Sequence, residues 1–323
     1  MKILIFGAGA LGQALGCLLA ADGHTISLVL RKRFLDIVNE KGLQVTGIFG
    51  EYRVEGRKLH LLEQLKNIGN QEYDAALITT KSYDTAEAIK AIAGLKGFSG
   101  PVVSLQNGCG NIEQVKNCFG PDRTFGARVI TGFEITRPGE IRITVSADDI
   151  HIGSGTPETI PPFARKLAGA LTHAGIPCIA VKDIYQDLFA KLLYNCALNP
   201  LGAVLGVHYG ALGENRQTRL IMDQIIDETF AVIHGLGGRT PWPDAAGYRR
   251  IFYDKLLPMT YNHRPSMLQD LEQGKQTEIK ALAGWVEMQG KRLAIATPTC
   301  SLLTKMVGFL EHKGTSRPGE TET

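Results

Sequence analysis

The sequence lacks the features that mark a nucleic-acid-binding or membrane protein. The formal net charge is only +3, and no run of lysine and arginine is longer than Arg31–Arg33. So small and evenly spread a charge argues against a nucleic-acid partner. No run reaches the roughly 18 uninterrupted apolar residues that a membrane helix requires. We therefore expect neither a nucleic acid nor a membrane among its partners.

The cysteines show no metal-binding or redox pattern. None of the six belongs to a CxxC pair, the spacing typical of zinc sites and thioredoxin-like motifs. Most have apolar neighbours, where a free thiol behaves as a small hydrophobic group. A disulfide framework is not expected in a chain of 323 residues. The pattern favours a cytoplasmic protein without a metal ion.

The pattern of apolar and polar residues changes near Asp183. Before it, short apolar runs alternate with helical patterns, which is typical of a buried parallel sheet covered by helices. After it, helical periodicity dominates. The sequence therefore predicts an α/β fold: a Rossmann-type, doubly wound parallel sheet over residues 1–183 and an all-helical substrate and catalytic domain over 184–313. A disordered tail is expected over 314–323.

A proline-glycine pair interrupts two strand-like runs late in the first domain. The runs cover residues 124–136 and 140–145, and Pro138 and Gly139 lie between them. Because Pro-Gly favours a turn, the pattern predicts an antiparallel hairpin added to the parallel sheet.

A glycine-rich turn follows the first apolar run. It has the GxGxxG pattern and comprises Gly7, Ala8, Gly9, Ala10, Leu11 and Gly12. In a Rossmann turn the glycines permit a tight bend, close approach of a pyrophosphate and close packing of helix on strand. The helix N-terminus then offers N–H groups to the phosphates. A glycine turn without a ligand is the alternative, but the strand–turn–helix context favours a dinucleotide.

The end of the second apolar run predicts which dinucleotide binds. An NAD-specific fold usually has an acidic residue there, about 20 residues after the glycines. This chain instead has Arg31 followed by two further cations. Since a guanidinium attracts a 2′-phosphate, the position favours NADP(H). A solvated basic loop is the alternative.

Three polar residues recur every fourth position in an apolar helical run. Lys191, Asn195 and Asn199 therefore share one helix face. A lysine buried there would lose pKa and become a proton donor suited to ketone reduction. An exposed stripe on a surface helix is the alternative. Pro200 is expected to end or kink this helix at Asn199.

Other candidate residues are ambiguous when taken singly. Ser266, with glutamine three positions later, fits a structural capping box, and Glu278 suits the first turn of a helix. Lys81 and Asn107 follow two strand-like runs, at the sheet edge where open α/β folds bind ligands. They also fit a surface position and a simple turn.

Together these motifs resemble the ketopantoate reductase (2-dehydropantoate 2-reductase) family over nearly the whole chain. The resemblance depends on GAGALG at 7–12, TTKSY at 79–83, QNGCG at 106–110, KLLYNCALNPLGA at 191–203 and SMLQDLEQGKQTEI at 266–279. The motifs occur in the family's order and at its spacing.

The resemblance implies a role for each candidate. Lys191 matches the family's general acid and Glu278 its partner carboxylate. Substrate contacts fall on Asn107, Asn195, Asn199 and Ser266. Cofactor contacts fall on the glycine turn and on Arg31, Lys81 and Asn107. One departure is His263, where some members carry asparagine three residues before the serine.

The implied activity is NADPH-dependent reduction of 2-dehydropantoate to pantoate, on the route to pantothenate and coenzyme A. One rival is a paralogous reductase of another small 2-oxo acid. The other is a non-catalytic NADP-binding regulator, against which the presence of both Lys191 and Glu278 argues. The oligomeric state is left open, with a homodimer as one candidate.

Overall fold

The computed structural model describes residues 1–66, 72–156 and 159–315. Two compact units divide the chain, Met1–Ile184 and Tyr185–Thr323. The assignment of cofactor binding to the first unit and of substrate chemistry to the second stays a prediction. Of the predicted tail, residues 314 and 315 continue the last helix, and 316–323 lie outside the described residues.

The first unit alternates strands and helices. Its strands are β1 (Lys2–Phe6), β2 (Thr25–Val29), β3 (Leu43–Gly47), β4 (Tyr52–Val54), β5 (Leu59–Leu62), β6 (Ala75–Ile78), β7 (Val102–Ser104), β8 (Thr124–Arg128), β9 (Thr131–Arg137), β10 (Glu140–Ser146), β11 (Ile150–Gly153) and β12 (Cys178–Ala180). Its helices are α1 (Ala10–Ala21), α2 (Lys32–Lys41), α3 (Thr85–Ala93), α4 (Asn111–Phe119) and α5 (Pro162–His173).

Eight strands form the main sheet, in the order β12-β11-β8-β7-β6-β1-β2-β5. The pairs from β5 to β8 are parallel, whereas β11 runs antiparallel to β8. The strand order reverses between β1 and β6, which is the switch point where α/β sheets bind ligands. The predicted doubly wound fold of this unit is therefore confirmed.

The predicted hairpin forms, but its placement in the parallel sheet was wrong. Strands β9 and β10 pair antiparallel and belong to a separate sheet with the order β4-β3-β10-β9. In that sheet β10 runs parallel to β3, with Ile141 opposite Val45. Both side chains are buried in the core, so the alternating apolar positions of β10 face inward from this second sheet.

Helix α1 is apolar on every side because it contacts strands of both sheets. Leu15, Leu18 and Leu19 have no exposed surface, and the burial of each contributes roughly 1.5–3 kcal/mol. A helix that is apolar all round has to be buried, and the second sheet supplies the cover. The packing holds the N-terminus of α1 firmly beside the end of β1.

The described residues of the second unit form helices joined by loops and contain no strand, as predicted. Its helices are α6 (Ile184–Leu205, starting at the last residue of the first unit), α7 (Tyr209–Glu214), α8 (Arg216–Gly235), α9 (Ala245–Ile251), α10 (Leu257–Met259), α11 (Ser266–Glu272), α12 (Ala283–Leu293) and α13 (Pro298–Thr315). A π-helical turn over Phe252–Leu256 joins α9 to α10.

Helix α6 does not end at Asn199, so the prediction that Pro200 ends the helix was wrong, and a kink there stays a prediction. The helix continues through Pro200 to Leu205. Proline removes one backbone hydrogen bond from the ladder. Cys196, Ala197 and Leu198 before it, and Leu201 and Ala203 after it, are nearly fully buried. The packing of these side chains outweighs the lost bond.

Candidate functional site

The turn after β1 is built on Gly7. Its φ is +109°, a backbone region that L side chains rarely adopt. A Cβ at this position would also lie 2.6 Å from the backbone nitrogen of Thr80. The N–H groups of Gly7 and Ala8 both donate to the carbonyl of Val29, at 3.3 and 3.0 Å. The turn is therefore fixed to the end of β2, and only glycine fits at its first position.

The other two glycines of the motif have opposite surroundings. A Cβ on Gly12 would lie 2.3 Å from the Gly7 carbonyl oxygen and 2.6 Å from Oγ1 of Thr79. A Cβ on Gly9 would meet nothing within 4 Å. Gly12 is thus required by the protein's own packing, whereas Gly9 leaves an exposed gap beside the helix N-terminus. An open gap of this kind suits the approach of a pyrophosphate.

Gln13 is a contributor to this turn that sequence reasoning did not assign. The residue has no exposed surface, and its Nε2 donates to the carbonyl of Ala8 at 2.8 Å. The bond ties the glycine turn to helix α1. A polar residue in the middle of an apolar helix was the available signal, because buried polar groups need partners.

Arg31 lies two residues after the end of β2 and is the N-cap residue of α2. Its side chain is exposed. Burial, reinforced by Glu87, raises the pKa of Asp84, and the charge of Arg31 opposes that rise. Arg31 therefore acts electrostatically on the segment that follows β6. An exposed cation at this place can attract an anionic group.

Lys81 and Asn107 lie after β6 and β7, at one edge of the main sheet. The two strands are parallel, with Ile78 opposite Ser104. Both side chains are half-buried. The carboxyl ends of parallel strands meet at the same edge. The sheet thus brings together two candidates that are far apart in the sequence.

In the second unit, Asn195, Asn199 and Ser266 form a hydrogen-bonded chain. Nδ2 of Asn199 donates to Oδ1 of Asn195 at 3.3 Å. Oδ1 of Asn199 accepts from Oγ of Ser266 at 3.3 Å and from the backbone nitrogen of Met267 at 3.5 Å. Asn199 is 5% exposed, and Lys191 and Asn195 are half-buried on the same row of α6. The structure therefore places Ser266 beside the polar row that the sequence predicted.

The capping-box interpretation of Ser266 was wrong. Ser266 is the first residue of α11, the N-cap is Pro265, and no side chain caps the helix. The residue is exposed, and its hydroxyl donates to Asn199 instead. A capping box requires serine one position before the helix. Ser266 therefore contributes its hydroxyl to the polar row of α6.

Glu278 lies in a short connection that is anchored by α13. It is only 7% exposed and immediately precedes a 3₁₀ turn over Ile279–Ala281, so its predicted position in the first turn of a helix was wrong. The neighbouring Thr277 donates from both its backbone nitrogen and its Oγ1 to Oε1 of Glu311, at 2.7 and 2.6 Å. Oγ1 of Thr277 also accepts from the nitrogen of Ile279 at 3.2 Å. Glu311, which sequence reasoning missed, thus fixes the backbone on which Glu278 lies.

Among the described residues, α6 is long and apolar enough to cross a membrane. Of its most apolar window, 67% is buried inside the fold. Core helices of ordinary globular proteins have the same composition and burial. Burial in this unit accounts for the apolar sequence of α6.

The described residues contain no group of three or more His, Cys, Asp or Glu side chains arranged to hold a metal ion. The six cysteines are free thiols. Burial raises the pKa of Cys17 and Cys178 to about 12, which disfavours the thiolate form that binds metals. The polar groups gathered here are therefore amides, hydroxyls, a lysine and a carboxylate.

Comparison with known proteins identifies the family. The model of the family "Ketopantoate reductase PanE/ApbA" matches residues 3–157, and its C-terminal counterpart matches 183–311. A 2-dehydropantoate 2-reductase of Aquifex aeolicus is 40% identical over 307 residues, covering 95% of this chain and 96% of the relative. The PanE/ApbA family ketopantoate reductase of Ralstonia eutropha superposes with a TM-score of 0.85 at 28% identity, covering 98% of this chain and all of the other.

A D-mandelate dehydrogenase, solved with NADH and anilino(oxo)acetate, shares the fold with a TM-score of 0.84. At 23% identity, covering 98% of this chain and 100% of the other, this likeness bears on the fold alone. The family matches extend over both units, and they confirm the family and the enzyme class that the motifs predicted. The chain belongs to the ketopantoate reductase PanE/ApbA family of oxidoreductases, which act on small-molecule substrates.

Proposed function

We propose that the protein reduces 2-dehydropantoate to pantoate with NADPH, a step toward pantothenate and coenzyme A. The observation that carries the proposal is the row formed by Lys191, Asn195 and Asn199, with Ser266 bonded to Asn199. This row offers a proton donor and several hydrogen-bonding groups on one helix. The substrate is taken from the names of the relatives.

The glycine turn fits a dinucleotide. Gly9 leaves room for a pyrophosphate at the N-terminus of α1. At Gly7 and Gly12, by contrast, a side chain would overlap atoms of the protein itself. Arg31 would hold the 2′-phosphate of NADPH, and Lys81 and Asn107 would contact the cofactor at the switch point. When bound, the nicotinamide supplies a hydride for C2 of the 2-oxo acid.

The side chains supply the proton and the orientation. Lys191 protonates the oxygen that gains negative charge as the ketone is reduced, and it recovers its proton from solvent. Glu278 orients Lys191 or accepts a bond from a substrate hydroxyl. Asn107, Asn195, Asn199 and Ser266 hold the carboxylate and hydroxyl of the substrate.

The test is NADPH consumption with a panel of 2-oxo acids, including 2-dehydropantoate and the oxo acid of mandelate. We expect the highest kcat/KM with 2-dehydropantoate. A higher value with another acid would instead support the paralogue. His263 is the residue that favours this second candidate, because it departs from the family pattern three residues before Ser266. Binding of NADPH without turnover of any acid would support the regulator.

Cofactor choice is tested at Arg31. Removal of the guanidinium in Arg31→Ala should weaken NADPH by about 1–3 kcal/mol relative to NADH, since a bond to a charged phosphate is lost. The matched control is Arg33→Ala, which removes an equal charge from a side chain that stacks 4.7 Å from the ring centroid of Phe34. Equal kcat/KM for the two cofactors in the unaltered enzyme would refute the NADPH assignment.

A further inference from the structure

A buried network of neutral side chains joins the two loops that carry Lys81 and Asn107. Gln106 is 5% exposed, Thr85 1% and Asn111 3%. These three residues have no assigned role. They lie under the switch-point edge of the sheet, after β6 and β7, and every bond between them crosses from one loop or helix start to another.

Gln106 is the hub of the network. Its Nε2 lies 2.8 Å from Oγ1 of Thr85, 3.1 Å from the carbonyl oxygen of Lys81 and 3.2 Å from Oγ1 of Thr80. Its Oε1 accepts from Oγ of Ser104 at 3.0 Å. The amide thus has partners on both of its ends. Because an amide has distinct donor and acceptor ends, the orientation of the side chain is fixed.

Thr85 and Asn111 extend the network to Asn107. Oγ1 of Thr85 carries one proton, which is shared between two acceptors, Oδ1 of Asn111 at 2.9 Å and the carbonyl oxygen of Ser82 at 2.7 Å. Nδ2 of Asn111 donates to the carbonyl of Asn107 at 3.0 Å. A continuous path of hydrogen bonds therefore runs from the main chain of Lys81 to the main chain of Asn107.

The contacts on Lys81 and Asn107 are to backbone carbonyls. They fix the backbone positions from which these two side chains project. Breaking one bond also leaves a buried donor or acceptor without a partner, which a loop relieves by moving. A displacement of about 1 Å at a positioning residue is enough to lower a rate by roughly 10²-fold.

We propose that Gln106, Thr85 and Asn111 are positioning residues that act through the main chains of Lys81 and Asn107. They hold the two side chains at the spacing that the dinucleotide and the 2-oxo acid require. The inference rests on the proposed function, because it derives its consequence from the binding roles of Lys81 and Asn107.

The test compares Gln106→Met in two backgrounds, the unaltered enzyme and Lys81→Ala. Methionine preserves the shape and removes every bond of the hub. In the unaltered enzyme we expect kcat/KM to fall about 10- to 100-fold, with weaker NADPH binding measured by fluorescence titration. In the Lys81→Ala background the same substitution should cause a clearly smaller loss of both, because the part transmitted through Lys81 is already gone and only the part transmitted through Asn107 remains.

A second pair of variants covers the case in which Gln106→Met does not fold. Thr85→Val removes the hydroxyl at constant shape and should reproduce the kinetic loss, and Thr85→Ser should restore most of the activity. The matched control is Thr229→Val, a fully buried threonine of α8 that donates to its own helix at 2.7 Å. It should lower the melting temperature and leave kcat, KM and NADPH affinity unchanged.

Two outcomes would overturn the inference. One is an equal loss of kcat/KM in both backgrounds, which a purely structural network produces. The other is a folded Thr85→Val enzyme with unaltered NADPH affinity and kinetics. Failure of the proposed function is distinguishable, since Lys81→Ala alone would then change neither NADPH affinity nor KM.

Discussion

The two units hold their candidate residues in different ways. In the first unit, neutral hydrogen bonds join loops that follow neighbouring strands of one sheet, such as the bond between Gln106 and Thr85, which are 21 positions apart. In the second unit the corresponding bonds join distant segments, 67 positions between Asn199 and Ser266 and 34 between Thr277 and Glu311. The topology of the sheet therefore brings the candidate residues of the first unit together, whereas those of the second unit are brought together by the packing of helices.

The difference has a chemical counterpart. The first unit presents backbone N–H groups, an open glycine and the cation Arg31, which suit the binding of a phosphorylated ligand. The second unit presents Lys191 and Glu278, groups that in the proposed function transfer or direct a proton. If this division is correct, substitutions in the first unit act mainly on cofactor affinity and those in the second mainly on kcat.

The largest effect should follow from Lys191→Ala. Loss of the proton donor should reduce kcat by about 10²–10⁴, the usual range for general acid catalysis. Affinity for NADPH should barely change, because the proposed function assigns the phosphates to the glycine turn of the other unit. Steady-state kinetics and a fluorescence titration with NADPH measure the two quantities separately.

Arginine is the informative control at this position. Lys191→Arg keeps the positive charge, but a guanidinium does not give up its proton near neutral pH, so activity should not return. A folded Lys191→Ala enzyme with near-normal kcat would mean that another residue is the acid, with Lys81 as the next candidate. Proton transfer would then belong to the first unit, and the comparison would fail.

The glycine turn offers a paired test of the first unit. Gly12→Ala should lower the free energy of unfolding by about 1–3 kcal/mol, because its Cβ would overlap the Gly7 carbonyl. Gly9→Ala meets no protein atom, so its stability should be equal or higher by about 0.4–1 kcal/mol. NADPH binding should nevertheless weaken in Gly9→Ala. Chemical denaturation and cofactor titration separate the two effects.

The Gly9 and Gly12 variants also show whether the turn is rich in glycine for ligand binding or for packing. If Gly9→Ala binds NADPH as well as the unaltered protein does, the gap beside the helix N-terminus is not the pyrophosphate site. The turn would then be glycine-rich for packing reasons alone, which is the alternative that the sequence leaves open. Unaltered stability in Gly12→Ala would mean that the turn relaxes around the new methyl group.

The sequence predicted the parts of this molecule that depend on local spacing. Gly7 and Gly12 belong to one local unit of strand, tight turn and helix, which the sequence pattern identifies. The helical period likewise places Lys191 and Asn195 on one face of α6. The second sheet was not predictable in this way. Its parallel pair joins Val45 to Ile141 across most of the first unit, and period-2 alternation does not specify a partner strand.

The unassigned residues of the site show the same limit. Gln106 reads as an ordinary loop residue until the fold places it 2.8 Å from Thr85. Glu311 belongs to an amphipathic helix, and nothing near it in the sequence indicates Thr277. Pro200 shows the opposite error. The local preference of proline predicted an end to the helix, and the burial of α6 overrides that preference.

The smallest expected effect on kcat concerns Glu311 and tests how strongly the second unit depends on distant contacts. Glu311→Ala leaves the N–H and hydroxyl of Thr277 without their acceptor at a site that is 2% exposed, which should cost about 1–3 kcal/mol of stability. The backbone that carries Glu278 would loosen, so kcat should also fall, and Glu311→Gln, which keeps an acceptor oxygen, should restore it. Glu228→Ala is the matched control, because that carboxylate also accepts two bonds, from the nitrogens of Thr299 and Cys300 at 2.8 Å each. It should lose stability and retain kcat. If both alanine variants retain kcat at equal loss of stability, Glu311 contributes only to folding, and the position of Glu278 does not depend on α13.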